Sequence, residues 1–196
     1  TFISMRKFEF KMSKSLLFKI IKRTIVIFAI GLGIAWFSKL CYGIAGGKSF
    51  LEAANSFDTI RILGVMPRLA LCYGAASIIV LLLRCKHILW VVATLLVGYG
   101  VILLVDEYGL VFSEQNIVSV IDQAVLGVDH MYKDTIDGVK LALDPEGLLS
   151  TIPSIAHVLI GCRAGMKMME EKDMNMRVNR LFIIGAILMP IGFLSD

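Results

Sequence analysis

Residues 87–105 read HILWVVATLLVGYGVILLV, a stretch without a single Asp, Glu, Lys or Arg. A helix needs about 20 consecutive apolar residues to cross the hydrocarbon core of a bilayer. Inside that core only helices and closed barrels satisfy the backbone, and a continuous apolar run lacks the alternation of a barrel strand. The stretch therefore predicts a membrane-spanning helix and indicates an all-α protein.

Further apolar segments lie on both sides of this stretch. They cover approximately residues 20–42, 60–83, 147–165 and 181–194. The composition is 57% hydrophobic and 18% charged, whereas charged residues make up about a quarter of an average soluble domain. We expect residues 1–196 to form one polytopic transmembrane helical bundle of about five spans, the last of them truncated.

The two ends of the chain suggest a longer protein. The first residue is Thr1 rather than Met, and the chain stops at Asp196, directly after an apolar run. We therefore expect an internal fragment of a larger membrane protein.

The Lys and Arg residues predict the orientation of the chain. They concentrate before the first span and in the linkers 84–87 and 166–180, whereas the linker 106–144 is mainly acidic. Because Lys and Arg favour cytoplasmic loops, this pattern predicts an inner-membrane protein with cytoplasmic basic loops and a periplasmic or extracellular loop 106–144. The basic residues flank apolar runs, so the net charge of +4 indicates contact with the lipid bilayer and no nucleic-acid partner.

Two arginines at the start of the second span are the first candidate site residues. Arg61 and Arg68 are seven residues apart, which places them on nearly the same face of a continuous helix. Pro67 either breaks that helix or occupies its first position, next to Arg68. The arginines either extend to lipid headgroups or form a positive binding site for an anionic group.

The acidic linker supplies a second candidate group. Asp129 precedes His130, and Tyr132 follows two residues later. A carboxylate, an imidazole and a phenol can act as orienting group, general base and hydrogen-bond donor. A solvated or purely structural Asp-His pair is the alternative.

The third candidate group begins the fourth span. Asp144 is expected to cap that helix, Pro145 to fill its first position and Glu146 to complement the helix dipole. The two carboxylates are either structural caps or part of a binding site. His157, farther along the same span, is either a functional group or a neutral histidine bonded to another helix.

Three stretches carry a family resemblance. They are RILGVMPRLALCY at 61–73, IDQAVLGVDHMY at 121–132 and DPEGLLSTIPSIAHVLIGCRAG at 144–165. Occurring in this order, they make the chain similar to heparan-α-glucosaminide N-acetyltransferase and its bacterial relatives, some of which are labelled N-acetylglucosamine-related transporters. The family commonly has Gln where this chain has Pro67 and Arg163.

The resemblance implies a membrane-embedded acyltransferase. Such an enzyme moves an acetyl group from cytosolic acetyl-CoA to the amine of a glucosamine-ended glycan on the far side of the membrane. Its catalytic histidine lies in a segment preceding the region aligned with Thr1, so no catalytic residue is assigned in this chain. The resemblance places Asp129, His130, Asp144 and Glu146 near the acceptor, and we add Arg61 and Arg68 as substrate-binding residues.

Two other functions stay open at this point. Polar residues within the spans favour an amino-sugar or oligosaccharide transporter; these are Ser77, Thr94, Ser154 and His157. A non-catalytic scaffold that assembles or anchors partners is the third possibility. A homo-oligomer is compatible with each of them.

Overall fold

The computed structural model describes residues 13–83, 87–111, 113–136, 139–171 and 173–194. Long helices account for most of these described residues, and the strands among them form one short hairpin. The structure is therefore all-α, as the sequence predicts. The basic stretch before Ser13, the basic turn 84–86 and Lys172 lie outside the described residues.

The elements follow one another in a simple order. They are α1 Lys14–Ala45, α2 Phe50–Ala54, α3 Val65–Leu83, α4 Ile88–Val105, α5 Ile117–Leu126, β1 Asp134–Ile136, β2 Val139–Leu141, α6 Thr151–Glu170 and α7 Met174–Leu194. Short 3-10 turns cover Ser56–Thr59 and Val128–His130.

Three of the helices, α1, α3 and α4, are long and apolar enough to cross a membrane. Their exposed surfaces are rich in large apolar side chains, for example Phe37, Trp90 and Val105. Such surfaces are suited to lipid and unsuited to water. The chain is a membrane protein on this ground. The two remaining predicted spans overlap the helices α6 and α7, which are not among these three, so the predicted count of about five spans stays a prediction.

The second predicted span begins later than the hydropathy pattern indicates. Helix α3 starts at Val65, whereas the apolar run starts at residue 60. Pro67 therefore lies in the first turn, where its missing N–H has no intrahelical partner to lose, and it does not break the helix. Arg61 precedes the helix, and Arg68 lies at the end of its first turn.

Helix α3 is the centre of the bundle, since it packs against both α1 and α6. Small residues allow the close approach of α1 and α3. A Cβ added to Gly31 on α1 would lie 2.4 Å from the ring of Pro67, and one added to Gly74 on α3 would lie 2.9 Å from the Thr24 hydroxyl. The core that joins α1, α3, α4 and α6 contains Leu16, Ile20, Val80, Ile88 and Leu159.

The linker 106–144 is more ordered than its polar composition suggests. It contains the amphipathic helix α5, and β1 pairs with β2 in an antiparallel hairpin in which Asp134 lies opposite Leu141. We call the end of the bundle where α1 and α4 finish and α3 and α6 begin the polar end. The linker covers this end.

Glycine at position 31 is required by the contact between α1 and α3. We predict that Gly31→Ala destabilises the protein by about 1–3 kcal/mol, because the added methyl overlaps the Pro67 ring. Gly33→Ala is the matched control, since a Cβ there meets no described atom within 4 Å. Removing glycine from a helix stabilises that control by up to about 1 kcal/mol.

The measurement is the unfolding midpoint of the detergent-solubilised full-length protein. A midpoint for Gly31→Ala at or above that of Gly33→Ala would contradict the packing described for α1 and α3.

Candidate functional site

An ion pair between Arg61 and Asp144 lies at the polar end. The Arg61 Nε donates to Asp144 Oδ2 at 3.2 Å, and Nη2 donates to Oδ1 at 2.5 Å. The Asp144 side chain is fully buried, while that of Arg61 is 29% exposed. This two-point geometry holds the guanidinium and the carboxylate in one plane. It joins the first and third of the stretches that carry the family resemblance.

Asp144 also organises the backbone around it. Its Oδ2 accepts the amide N–H of Tyr132 at 3.1 Å, and its Oδ1 accepts that of Glu146 at 3.0 Å. With Arg61, four donors surround one carboxylate. Residues 144–150 consequently form turns, and α6 begins at Thr151. The expectation that Asp144 caps this helix was wrong, because its carboxylate is used by the preceding turn and by Arg61.

Arg61 has two further neighbours. Its Nη2 lies 2.8 Å from Glu146 Oε2, and its guanidinium carbon lies 5.0 Å from the centre of the Tyr132 ring. Burial alone would lower the pKa of Arg61, but the hydrogen bond and charge of Asp144, with the charge of Glu146, outweigh it and raise the pKa. The cation is therefore held permanently between two carboxylates and an aromatic face.

Arg68 binds the same turn from the other side. Its Nη1 donates to the Pro145 carbonyl at 3.3 Å, and its Nη2 donates to the Ser150 carbonyl at 2.9 Å and to Ser154 Oγ at 2.6 Å. The buried Nε has no hydrogen-bond partner among the described residues. Both arginines thus hold the 144–150 turn, and the buried Arg68 Nε–H is left without an acceptor among the described residues.

Asp129 and His130, the second candidate group, do not interact with each other and have separate partners. The Nδ1–H of His130 donates to the Ile60 carbonyl at 2.7 Å, and the His130 carbonyl accepts the Ile62 amide at 3.1 Å. Asp129 is 70% exposed and pairs with Lys133 at 3.3 Å. His130 therefore fastens the linker to the segment before α3, and its orienting partner is a carbonyl rather than Asp129.

A buried carboxylate that was not among our site residues, that of Asp122, also binds the 144–150 turn. Asp122 on α5 is completely buried, and its Oδ1 accepts the Leu148 amide at 2.7 Å. A Cβ added to Gly147 would lie 1.6 Å from Asp122 Oδ2, so only glycine fits there. Burial raises the pKa of Asp122, and the nearby Asp144 charge adds to this, while the Leu148 and Leu149 amides act to lower it. The available sequence signal was its spacing of three residues from Ser119, which places the two polar side chains on one face of a helix.

Several cavities adjoin the cluster, and two of them are lined by its arginines. One, of about 450 Å³, is lined by Lys39, Thr59, Arg61, Asp129, Tyr132 and Lys133. The other, of about 310 Å³, contains Arg68, Glu146 and His157. Both fall in the size range of small-molecule sites. Within the described ranges, no group of three or more His, Cys, Asp and Glu side chains is placed to hold a metal ion.

The fold and this cluster define an all-α membrane protein with a network of paired charges at one end of its helices. No protein-family model matches the chain, and no curated protein matches it either.

The Arg61–Asp144 pair provides a direct test of the cluster. We predict that Asp144→Asn lowers the free energy of unfolding by about 2–4 kcal/mol, because it leaves a largely buried guanidinium without its main charge partner. Glu146 and residual exposure of Arg61 keep the loss below that of a fully buried pair. Asp129→Asn, at an exposed pair, serves as the control and changes stability by less than about 1 kcal/mol.

Chemical unfolding of the full-length protein in detergent measures both effects. Equal stability of Asp144→Asn and Asp129→Asn would show that the Arg61–Asp144 pair does not hold the polar end together.

Proposed function

We propose that the chain is part of a membrane-embedded acyltransferase. The intact protein would move an acetyl group from cytosolic acetyl-CoA to the amine of an amino sugar on the outer side of the inner membrane. The observation that carries this proposal is the contact between the three stretches of the family resemblance. Arg61, Tyr132 and Asp144, one from each stretch, meet in a single cluster although they are up to 83 residues apart.

The layout suits the demands of acyl transfer to an amine. Such a reaction needs a neutral amine, a donor for the developing oxyanion and protection of the thioester from water. The cavities beside Arg61 and Arg68 offer hydrogen-bond donors and acceptors in partly buried surroundings. At the opposite end, the exposed Lys22 and Arg23 on the first turns of α1 would attract the phosphates of acetyl-CoA.

An acetyl-transfer assay, combined with an uptake assay, separates this function from the transporter and the scaffold. We predict that membranes containing the full-length protein transfer label from acetyl-CoA to glucosamine or glucosamine-ended glycans. Membranes lacking the protein are the control. Uptake of unmodified sugar into vesicles without an acetylated product would favour the transporter, for which the buried Ser77 hydroxyl without a hydrogen-bond partner in the described chain is the supporting observation. Absence of both activities would favour the scaffold.

Transfer of the acetyl group across the membrane also requires that the linker 106–144 and the linker 166–180 lie on opposite sides of the membrane. We predict that a cysteine at Asp129→Cys reacts with a membrane-impermeant maleimide in intact cells. A cysteine at Asn175→Cys is expected to react only after permeabilisation. Each variant carries serine at the four natural cysteines. Labelling of both positions from the same side would exclude transfer across the bilayer by this topology.

A further inference from the structure

The cavity of about 450 Å³ lies where the last turns of α1 meet the segment that leads into α3. We call it the Lys39 cavity. Three of the described residues that line it are cations, namely Lys39, Arg61 and Lys133, and one, Asp129, is a carboxylate. The cavity therefore presents mostly positive groups, which suits an anionic ligand.

Lys39 is the cation of this lining whose charge is not neutralised within the described chain. Arg61 is held between two carboxylates of the 144–150 turn, and Lys133 pairs with Asp129 at 3.3 Å. The Lys39 Nζ instead donates to the carbonyl and hydroxyl oxygens of Thr59, which are both neutral. An ammonium carries three N–H donors, so one donor of Lys39 is left for a ligand in the cavity.

The charges around Lys39 leave an excess of positive charge. Among the described groups that act on its ammonium, Lys48 and Lys133 repel it and Asp129 attracts it. Three lysines against one aspartate give a net charge of +2. An anion bound between Lys39 and Lys133 would relieve this repulsion, whereas a ligand with an ammonium of its own would add to it.

The position of Lys39 along α1 corresponds to the level of the lipid headgroups. Residues 24–38 carry no charged side chain, and Lys39 follows Arg23 by 16 residues. This separation is about 24 Å of helix, close to the hydrocarbon thickness of about 30 Å. The long stems of the two cations cover the remaining distance, because Lys and Arg extend toward the headgroups.

The Lys39 cavity adjoins the lipid-facing surface of α1. Ser38 lines the cavity and is exposed. Ile34 precedes Ser38 by four residues and therefore lies one turn away on the same face of the helix. Ile34 is 57% exposed. A hydrocarbon chain can thus lie along Ile34 while the group attached to it enters the cavity beside Ser38.

We propose that the Lys39 cavity binds the phosphate of an anionic phospholipid. The phosphate oxygens accept hydrogen bonds from the ammonium groups of Lys39 and Lys133, and an acyl chain lies along α1 beside Ile34. The exposed pair of Lys133 with Asp129 rearranges at little cost. The site is independent of the proposed function, and it leaves the other side of the arginine cluster, beside Arg68, to the acyl acceptor.

Competition against a fluorescent phosphatidylglycerol, bound to the full-length protein in a neutral detergent, tests the kind of ligand. Phosphatidylglycerol has no ammonium, so we expect it to compete at least about tenfold better than phosphatidylcholine with the same chains. Glycerol phosphate and inorganic phosphate should compete far more weakly than the lipid, because they lack the apolar chains.

Two results of this series would overturn the proposal. Equal competition by phosphatidylcholine would show that the cavity does not select by charge. Competition by glycerol phosphate at the same concentration as the lipid would show a site for free phosphate. The series uses the wild-type protein and therefore does not depend on the folding of any variant.

Substitutions test the place of binding. We expect Lys39→Gln to weaken binding of phosphatidylglycerol about tenfold, because a hydrogen bond from a charged group is lost. The Gln amide can still donate to the Thr59 carbonyl. Ser38→Leu keeps every charge but fills the mouth of the cavity, so we expect it to lose saturable binding. Lys140→Gln, on β2 and outside the cavity lining, is the matched control. It should change binding less than about twofold at physiological salt.

The variants separate a formed site from diffuse attraction. Equal losses in Lys39→Gln and Lys140→Gln would mean that the lipid responds only to the total charge, and this would overturn the site. Wild-type binding by Ser38→Leu would place the lipid elsewhere on the protein and would overturn it as well. Unfolding midpoints measured without added lipid show that each variant is folded.

Discussion

The Arg61–Asp144 ion pair determines the arrangement of the polar end. Asp144 is fully buried and bound by Arg61 from the segment before α3, by the amide of Tyr132 and by the amide of Glu146. A buried carboxylate is tolerated only when its charge and its lone pairs are satisfied. The segment before α3, the end of the linker 106–144 and the 144–150 turn are therefore held together by one side chain.

The pair also explains why the surrounding charges do not simply extend into solvent. Arg61 is enclosed by Asp144, Glu146 and the Tyr132 ring. Arg68, on α3, donates to the same turn and to Ser154 on α6. Interactions between charges strengthen where water is excluded, so each ion holds the next in position. The result is a connected polar cluster with cavities beside it, set at the end of an otherwise apolar bundle.

The sequence predicts the helices well because crossing lipid requires long apolar runs, and the helix over 88–105 is within one residue of its expected limits. The starts of α3 and α6 were less predictable. Residues 60–64 are apolar enough for a span, but their backbone bonds to the linker instead: the Ile60 carbonyl accepts the His130 Nδ1–H, and the Ile62 amide donates to the His130 carbonyl. Asp144 is a good helix cap by local rules, yet Arg61 engages its carboxylate from 83 residues away.

The candidate residues follow the same rule: their positions can be predicted from the local sequence, but their partners cannot, because the partners lie far along the chain. Arginines and carboxylates near span ends are visible in the sequence, and the structure brings Arg61, Arg68, Asp144 and Glu146 around one turn. Asp129 and His130 are adjacent in sequence, but one pairs with Lys133 and the other with the Ile60 carbonyl. Asp122 was not selected because its role depends on Gly147, a partner that only the folded chain supplies.

The contact between Asp122 and the 144–150 turn connects helix α5 of the polar linker to the turn that precedes α6. Helix α5 is amphipathic and lies across the polar end, whereas the turn leads into α6 within the bundle. Since Asp122 holds the Leu148 amide and occupies the space beside Gly147, α5 cannot tilt or slide without pulling on that turn. Mechanical displacement of a surface helix would thus be transmitted directly to the geometry of the arginine cluster.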